Sequence, residues 1–325
     1  QVAINGVAYL FSLPLKKREE PYNLFAISGK KWFNMSADYS YTYKNLHYFG
    51  EAAVDKDLNT AFINGLLISV DSRVDLSVLH RHIAAAYQSF SGNAFTENTS
   101  PSNERGVFTG ISLRPGAGWK IEAYADLYRF PWLKYRVDAP GRGSDWLVLL
   151  TYTPDKQTEI YTRFRTESKQ GNGPGNGGNT HYLHFLTRQS WRTHLSFRIN
   201  SGLTLRSRAE MVWFDKRGAA AENGYLFFID IIYKPLQKPF SGSARIQYFE
   251  TEGYASRVYS YENDVLFSYS VPGFSGKGTR FYLNLAYKPG HHLHFWVRLA
   301  QTVYRAAPGV SGTPGIANGP GPELK

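Results

Sequence analysis

The 325-residue chain contains no cysteine, which excludes a disulfide framework and thiolate metal sites. It lacks any run of about 18 apolar residues, so no membrane-spanning helix can be drawn through it. No methionine, basic stretch or apolar stretch stands at its start, where the first residue is Gln1. The expectation is that any secretion signal has been removed or lies upstream. Clustered charge is missing too: the formal net charge is +11, but the basic residues are dispersed. Neither nucleic acid nor an anionic surface is therefore singled out as a partner. Mean hydropathy is only -0.37. That value does not exclude a membrane, because lipid-facing and lumen-facing residues alternate along the strands of a membrane β-barrel and dilute its hydropathy.

Aromatic residues are abundant, at 16% of the chain with 23 Tyr and 21 Phe, as suits strands and interfacial girdles. The stretch LTLRSRAEMVWFD shows how they are used. Arg206, Arg208 and Glu210 alternate with Leu205, Ser207, Ala209, Met211 and Trp213, which is the period of two of a strand with one wet face and one apolar face. The same period recurs elsewhere. In WFNMSADYSYTYK, Phe33, Met35, Ala37 and Tyr39 oppose Asn34, Ser36 and Asp38; in WKIEAYADLYRF, Lys120, Glu122 and Asp126 oppose Ile121, Ala123 and Leu127. In SWRTHLSFRI, Arg192, His194 and Arg198 oppose Trp191, Leu195 and Phe197. In HLHFWVRLAQTVY, His292, His294 and Arg298 oppose Leu293, Phe295 and Val297. Aromatic residues near segment ends, such as Tyr152, Trp213, Tyr233 and Tyr287, fall where a girdle would place them.

Turn chemistry follows a rhythm. Tight connections are expected at Lys44-Asn45, Asp71-Ser72-Arg73, Pro115-Gly116-Ala117, Pro154-Asp155-Lys156, Asn200-Ser201-Gly202, Pro235-Leu236-Gln237 and Pro289-Gly290-His291, all with Gly, Pro, Asn or Asp chemistry. Longer polar stretches fall between them, most clearly 86–105, 129–143, 169–181, 251–278 and 306–325. The fold expected is all-β: an antiparallel transmembrane β-barrel of about 14–16 strands, with short periplasmic turns and long extracellular loops. It would occupy residues 1–325 as a single domain, incomplete at both ends, in the bacterial outer membrane.

The residues expected to line the lumen are Arg163, Arg165, Glu167, Arg192, Arg198, Arg206, Arg208, Glu210, Asp230, Arg245, Arg280 and Arg298. Together with Arg81 and with Asp38, Glu51, Asp75, Glu122, Asp126, Asp145 and Glu159 on the same faces, the two signs are nearly balanced. A balanced set reads as a salt-bridged wall rather than a single-sign filter. AFINGLLISV and DWLVLLTY are apolar on both faces, which implies a packed interior beside them.

The motifs that suggest chemistry have plainer readings. Gly173, Gly175 and Gly178 match a dinucleotide fingerprint, but without the strand and helix it needs they read as loop, and Gly278 stands where a phosphate loop after Lys277 requires Ser or Thr. His291, His292 and His294 have no carboxylate partner to complete a metal site. In SYENDV, the polar residues Glu262, Asn263 and Asp264 are expected to bind loop backbone. No catalytic, cofactor-binding or metal-binding residue is assigned, and no cofactor is expected.

Three segments, NAFTENTSPSNERGVFTGISLRP, FPWLKYRVDAPGRGSDWL and SRVYSYENDVLFSYSVPGFSGKGTRFYLNLAYKP, resemble the barrel region of Gram-negative outer-membrane proteins of the helix-hairpin-helix domain-containing, competence-protein-like family. The resemblance runs from about Tyr22 to the end. It implies a barrel, but the family's DNA-backbone-binding helical hairpin has no counterpart here, so nucleic acid would be reached only through a missing N-terminal region. The function expected is a membrane anchor, scaffold or weak pore, in contact with outer-membrane lipid and with periplasmic or surface protein partners, within a DNA-handling or transport assembly. Two alternatives stay open: a barrel hydrolase acting on lipid, and a soluble all-β carbohydrate-binding protein.

Overall fold

The structure is a computed structural model describing residues 1–173, 182–216, 218, 220–290, 292–305 and the backbone of 323–324. Gly175, Gly178, His291 and most of the tail 306–325 lie outside the described residues. The strands in chain order are β1 (Val2–Leu15), β2 (Gly29–Tyr43), β3 (Leu46–Asp55), β4 (Thr60–Asp71), β5 (Val74–Ile83), β6 (Glu104–Leu113), β7 (Trp119–Phe130), β8 (Gly141–Tyr152) and β9 (Thr158–Asn172). They continue with β10 (Leu183–Asn200), β11 (Leu203–Phe214), β12 (Glu222–Tyr233), β13 (Phe240–Thr251), the short β14 (Val258–Tyr259) and β15 (Gly273–Phe274), β16 (Lys277–Tyr287), β17 (Phe295–Tyr304) and β18 (Glu323–Leu324). Apart from the β14–β15 hairpin, they form one 16-stranded sheet in chain order, and each of its resolved pairings is antiparallel. The strand number lies within the range expected from the sequence.

The chain divides into two compact units. The first comprises residues 1–115, 121–148 and 166–187; the second comprises 116–120, 149–165 and 188–325. In the second unit, alternation places Asp230, Arg245, Arg280 and Arg298 on one face, all nearly inaccessible to solvent. On the opposite face Ile231, Ala244, Leu283 and Leu299 stand in register across four strands, with Leu299 47% exposed. The hydrophobic effect would not leave such a stripe facing water. On the lipid face of a membrane strand a charge costs about 2–4 kcal/mol near the midplane and about 0–1 kcal/mol near the interfaces. This face is apolar along its middle, as that cost requires. The exposed Tyr233, Phe240 and Tyr287 and the stacked pair Trp119 and Tyr152, 4.3 Å apart, mark the strand ends at the tight turns. Sequence and fold thus define a transmembrane antiparallel β-barrel.

In the first unit the same division holds. Arg81, Glu104 and Asp126 are buried on the inner face, while Val107 and Leu127 stand exposed on the outer one. Two glycines are required by close approach. A Cβ on Gly106 would lie 2.7 Å from the Arg81 guanidinium carbon, and one on Gly50 would strike the Tyr39 hydroxyl at 2.3 Å. Tyr39 crosses Gly50 to hydrogen-bond Asn64, a polar group that would otherwise be unsatisfied on the outer face.

All seven expected tight turns join consecutive strands, and the longer connections alternate with them. The alternation is not strict. The 56–59 and 215–221 connections occupy long-loop positions yet are short. The first is closed by Asp55, whose Oδ1 accepts from the backbone amides of Asp57 and Asn59 at 2.9 and 3.0 Å. A second departure concerns His292 and His294, which precede the start of β17 at Phe295 and so belong to a turn rather than a strand face.

This topology can be read in cells, because the native chain has no thiol. Cysteines replacing the exposed Thr99, Tyr135 and Tyr254 are expected to react with an impermeant maleimide on intact cells. Cysteines at Ser72, Gly116 and Asp155 should react only after the outer membrane is opened. Mixed reactivity within either set would contradict the alternation of the two ends.

Candidate functional site

The connection between β13 and β16, residues 252–276, carries the β14–β15 hairpin and folds onto the inner face of the second unit. Its contacts come from a row of arginines on five strands. On β10, Arg188 donates to the Ala255 and Arg257 carbonyls at 2.9 and 2.7 Å. On β11, Arg208 donates to the Tyr259 carbonyl at 3.0 Å. On β13, Arg245 donates to the Ser260 hydroxyl and the Tyr261 carbonyl, both at 2.7 Å. On β16, Arg280 binds Glu262 through two nitrogens at 2.7 and 2.9 Å. On β17, Arg298 pairs with Glu262 and, at 3.1 Å, with Asp264. Apolar packing completes the seat: Val258 and Phe274 from the hairpin join Val212, Leu226, Phe228 and Phe249 in one buried cluster.

The clamp follows from the chemistry of the guanidinium. Its planar fork of donors reaches carbonyls and carboxylates together, and a buried charge left without partners costs several kcal/mol. Arg245 illustrates this. Its Nε and Nη2 hold both oxygens of Asp230 at 2.5 and 2.6 Å, its guanidinium carbon lies 3.6 Å from the Phe228 ring centroid, and its remaining nitrogen takes the loop.

Around Glu210 on β11 the balance of charge changes. Glu210 accepts from Arg192 at 2.9 and 3.1 Å, pairs with Arg208, and lies 4.0 Å from Arg163. Arg192 and Arg208 therefore share one carboxylate. Arg206 stands in register with Asp230, but Arg245 occupies both oxygens of that residue, and Arg206 has no carboxylate partner among the described residues. The expected balance of inward signs therefore fails locally, because counting charges on a face does not reveal which arginine captures which acid.

The first unit holds its own inward connection, residues 84–103, by a different pattern. Arg81 bridges Glu104 at 2.6 Å and both oxygens of Asp126 at 2.8 and 2.9 Å. Glu104 in turn accepts the backbone amides of Glu97 and Asn98, and Asp55 accepts that of Gln88 at 3.1 Å. Tyr87 packs on Ala61 and Ile83, so the apolar inner residues of β4 do lie against a filled interior, as AFINGLLISV implied.

The remaining expected lining residues sort by partner. Glu167 pairs with Lys169, which also binds Glu97 at 3.0 Å. Arg165 lies half-buried on the inner face of β9, and Arg198 is exposed near the turn into β11. Sequence reasoning missed Arg188 and Arg81's role as a bridge, although both sit at inward positions of alternating strands. It also assigned Glu262 and Asp264 to loop backbone. Glu262 instead binds strand arginines, whereas Asp264 does both, accepting from the Val265 amide at 2.8 Å as well as from Arg298. The described residues contain no group of three or more His, Asp or Glu able to hold a metal ion.

These features define the class: a transmembrane β-barrel of the bacterial outer membrane with inward-folded connections. The sequence matches no protein-family model and no curated protein. Among solved structures, the chain is similar to the outer membrane channel DcaP of Acinetobacter baumannii, at 10% identity over 77% of this chain and 92% of that one, with a TM-score of 0.42. It is similar to OmpT, an outer membrane protein of Vibrio cholerae, at 10% identity over 88% and 95% of the two chains, TM-score 0.44. It is also similar to an anion-selective porin from Comamonas acidovorans, at 6% identity over 93% and 100%, TM-score 0.43.

Two outcomes test the site. Arg245→Ala, which strands the buried carboxylate of Asp230 and releases Ser260 and Tyr261, should destabilise the folded chain by about 3–5 kcal/mol and expose Arg257 to trypsin. An Arg245→Ala/Asp230→Ala double variant should recover part of the loss in a thermal melt. In the connection 131–140, burial and the nearby Lys169 push the Lys134 ammonium down to about 8, so the charged form is disfavoured by folding. Lys134→Met should therefore raise the melting temperature most below pH 8. The advantage should fade as pH rises toward 10.5, the ordinary lysine value, where natural Lys134 is neutral in both states.

Proposed function

We propose that this barrel is an outer-membrane pore of low conductance whose inner face favours small anions. The observation that carries the reading is the pairing pattern in the second unit: an arginine row pins residues 252–276 over the inner face, Arg192 and Arg208 share the single carboxylate of Glu210, and Arg206 has no carboxylate partner among the described residues. A fixed, partly desolvated surplus of guanidiniums lowers the energy of an anion and raises that of a cation along the same wall. The pinned connection narrows the path, so conductance is small. A role as anchor or scaffold for a larger assembly is compatible with the same construction, since a filled barrel is stiff.

Planar-bilayer recording tests it. The natural chain should give small currents carried mainly by chloride. Replacing residues 255–272 by a short turn should increase conductance several-fold. Arg206→Glu, at a position whose side chain does not hold the connection, should shift the reversal potential toward cation preference without opening the path. Large cation-selective currents from the natural chain would overturn the reading.

A further inference from the structure

On the outer face of the first unit, arginines cluster at one place. On β6, Arg105 stands in register between His82 of β5 and Arg129 of β7. Arg142 occupies the same face of β8, one step outward from the buried Asp145 side, and lies 5.6 Å from the Phe185 ring centroid on β10. The three arginines lie along one open cleft, beside Pro131, Pro140 and Gln170. A second cleft of about 640 Å³ runs from them along Val107, Leu127 and Phe185.

Two like charges directly opposite on neighbouring strands destabilise a sheet, and an arginine on the lipid side is tolerated only where the hydrocarbon ends. Among the described residues none of the three arginines makes an ion pair, and the buried Nε of Arg105 has no hydrogen-bond partner. This is not the rule for outward charge at the long-loop ends of the strands. On the second unit, outward Glu250 is paired with Lys277 at 2.9 Å and also accepts from the Tyr248 hydroxyl. The first unit's arginines thus present several convergent donors with no internal acceptor. The residues one step toward the middle of the strands, Val107 and Leu127, are apolar and exposed.

We propose that Arg105, Arg129 and Arg142 form an outward-facing site for the phosphate of a phosphorylated lipid headgroup in the outer leaflet, its acyl chains lying over Val107 and Leu127. Arginine forks suit phosphate oxygens, and the apolar surface continuous with the cleft suits a lipid rather than free phosphate. The assignment rests on the barrel reading, with the long connections at the outer surface.

The test uses the full chain refolded in a neutral detergent. Heat-modifiable gel mobility first establishes that the natural chain and the variants fold as barrels; if the natural chain does not, the barrel reading itself fails. Binding is then followed by native mass spectrometry and thermal shift, with a diphosphorylated glycolipid, the same lipid without phosphate, and inorganic phosphate as probes. The diphosphorylated lipid should bind and raise the melting temperature. Its affinity should fall about tenfold for each guanidinium removed in Arg105→Gln, Arg129→Gln and Arg142→Gln, and stay unchanged in Lys277→Gln. Should Arg105→Gln fail to fold, Arg129→Gln and Arg142→Gln, at exposed positions, carry the comparison. Equal binding of the phosphate-free lipid, unchanged affinity in the arginine variants, or saturation by inorganic phosphate alone would each overturn the assignment.

Discussion

The interaction on which the structure turns is the buried guanidinium that must find oxygen. In the second unit, arginines project from β10, β11, β13, β16 and β17 onto the inner face, where burial strips them of water. The strands alone do not supply enough carboxylates. The 252–276 connection supplies the missing oxygens, through the backbone of its first half and then through Glu262 and Asp264. An inward loop is therefore a consequence of inward arginine as much as of apolar collapse. Hydrogen bonds to charged groups contribute about 1.5–3 kcal/mol each, whereas stranding one of these charges costs more.

The two units solve the same problem in opposite ways. Around Arg81 one guanidinium serves two carboxylates, and the surplus negative charge is quenched by the backbone amides of Glu97 and Asn98. Around Glu210 two guanidiniums serve one carboxylate. The first arrangement stiffens three adjacent strands and their connection. The second gathers guanidiniums around one acid and leaves Arg206 without a carboxylate among the described residues.

On the outer face the governing constraint is hydrocarbon. It keeps Ile231, Ala244, Leu283 and Leu299 in one apolar row and permits polar groups only where a neighbour satisfies them or where headgroups begin. Asn64 under Tyr39 is the first case. Glu250 beside Lys277 is another instance of it, and the arginines of β6 to β8 are the second.

The period of two in stretches such as 203–214, together with the Gly, Pro, Asn and Asp turns, determined the strands, their two faces and the ends at which the tight connections lie, because side-chain direction in a strand is a local property. The same alternation identified Arg192, Arg206, Arg208, Arg245, Arg280 and Arg298 as inward. It could not say that the 56–59 connection would close tightly on Asp55, nor that Glu262 would bind β16 and β17 instead of its own loop. Nor could it say that Arg245 would take Asp230 and leave Arg206 without a carboxylate. Those outcomes depend on inter-strand register and on the path of a connection across the inner face, which bring together side chains far apart in the chain. Only the tertiary structure decides which of several chemically equivalent partners a buried charge reaches first.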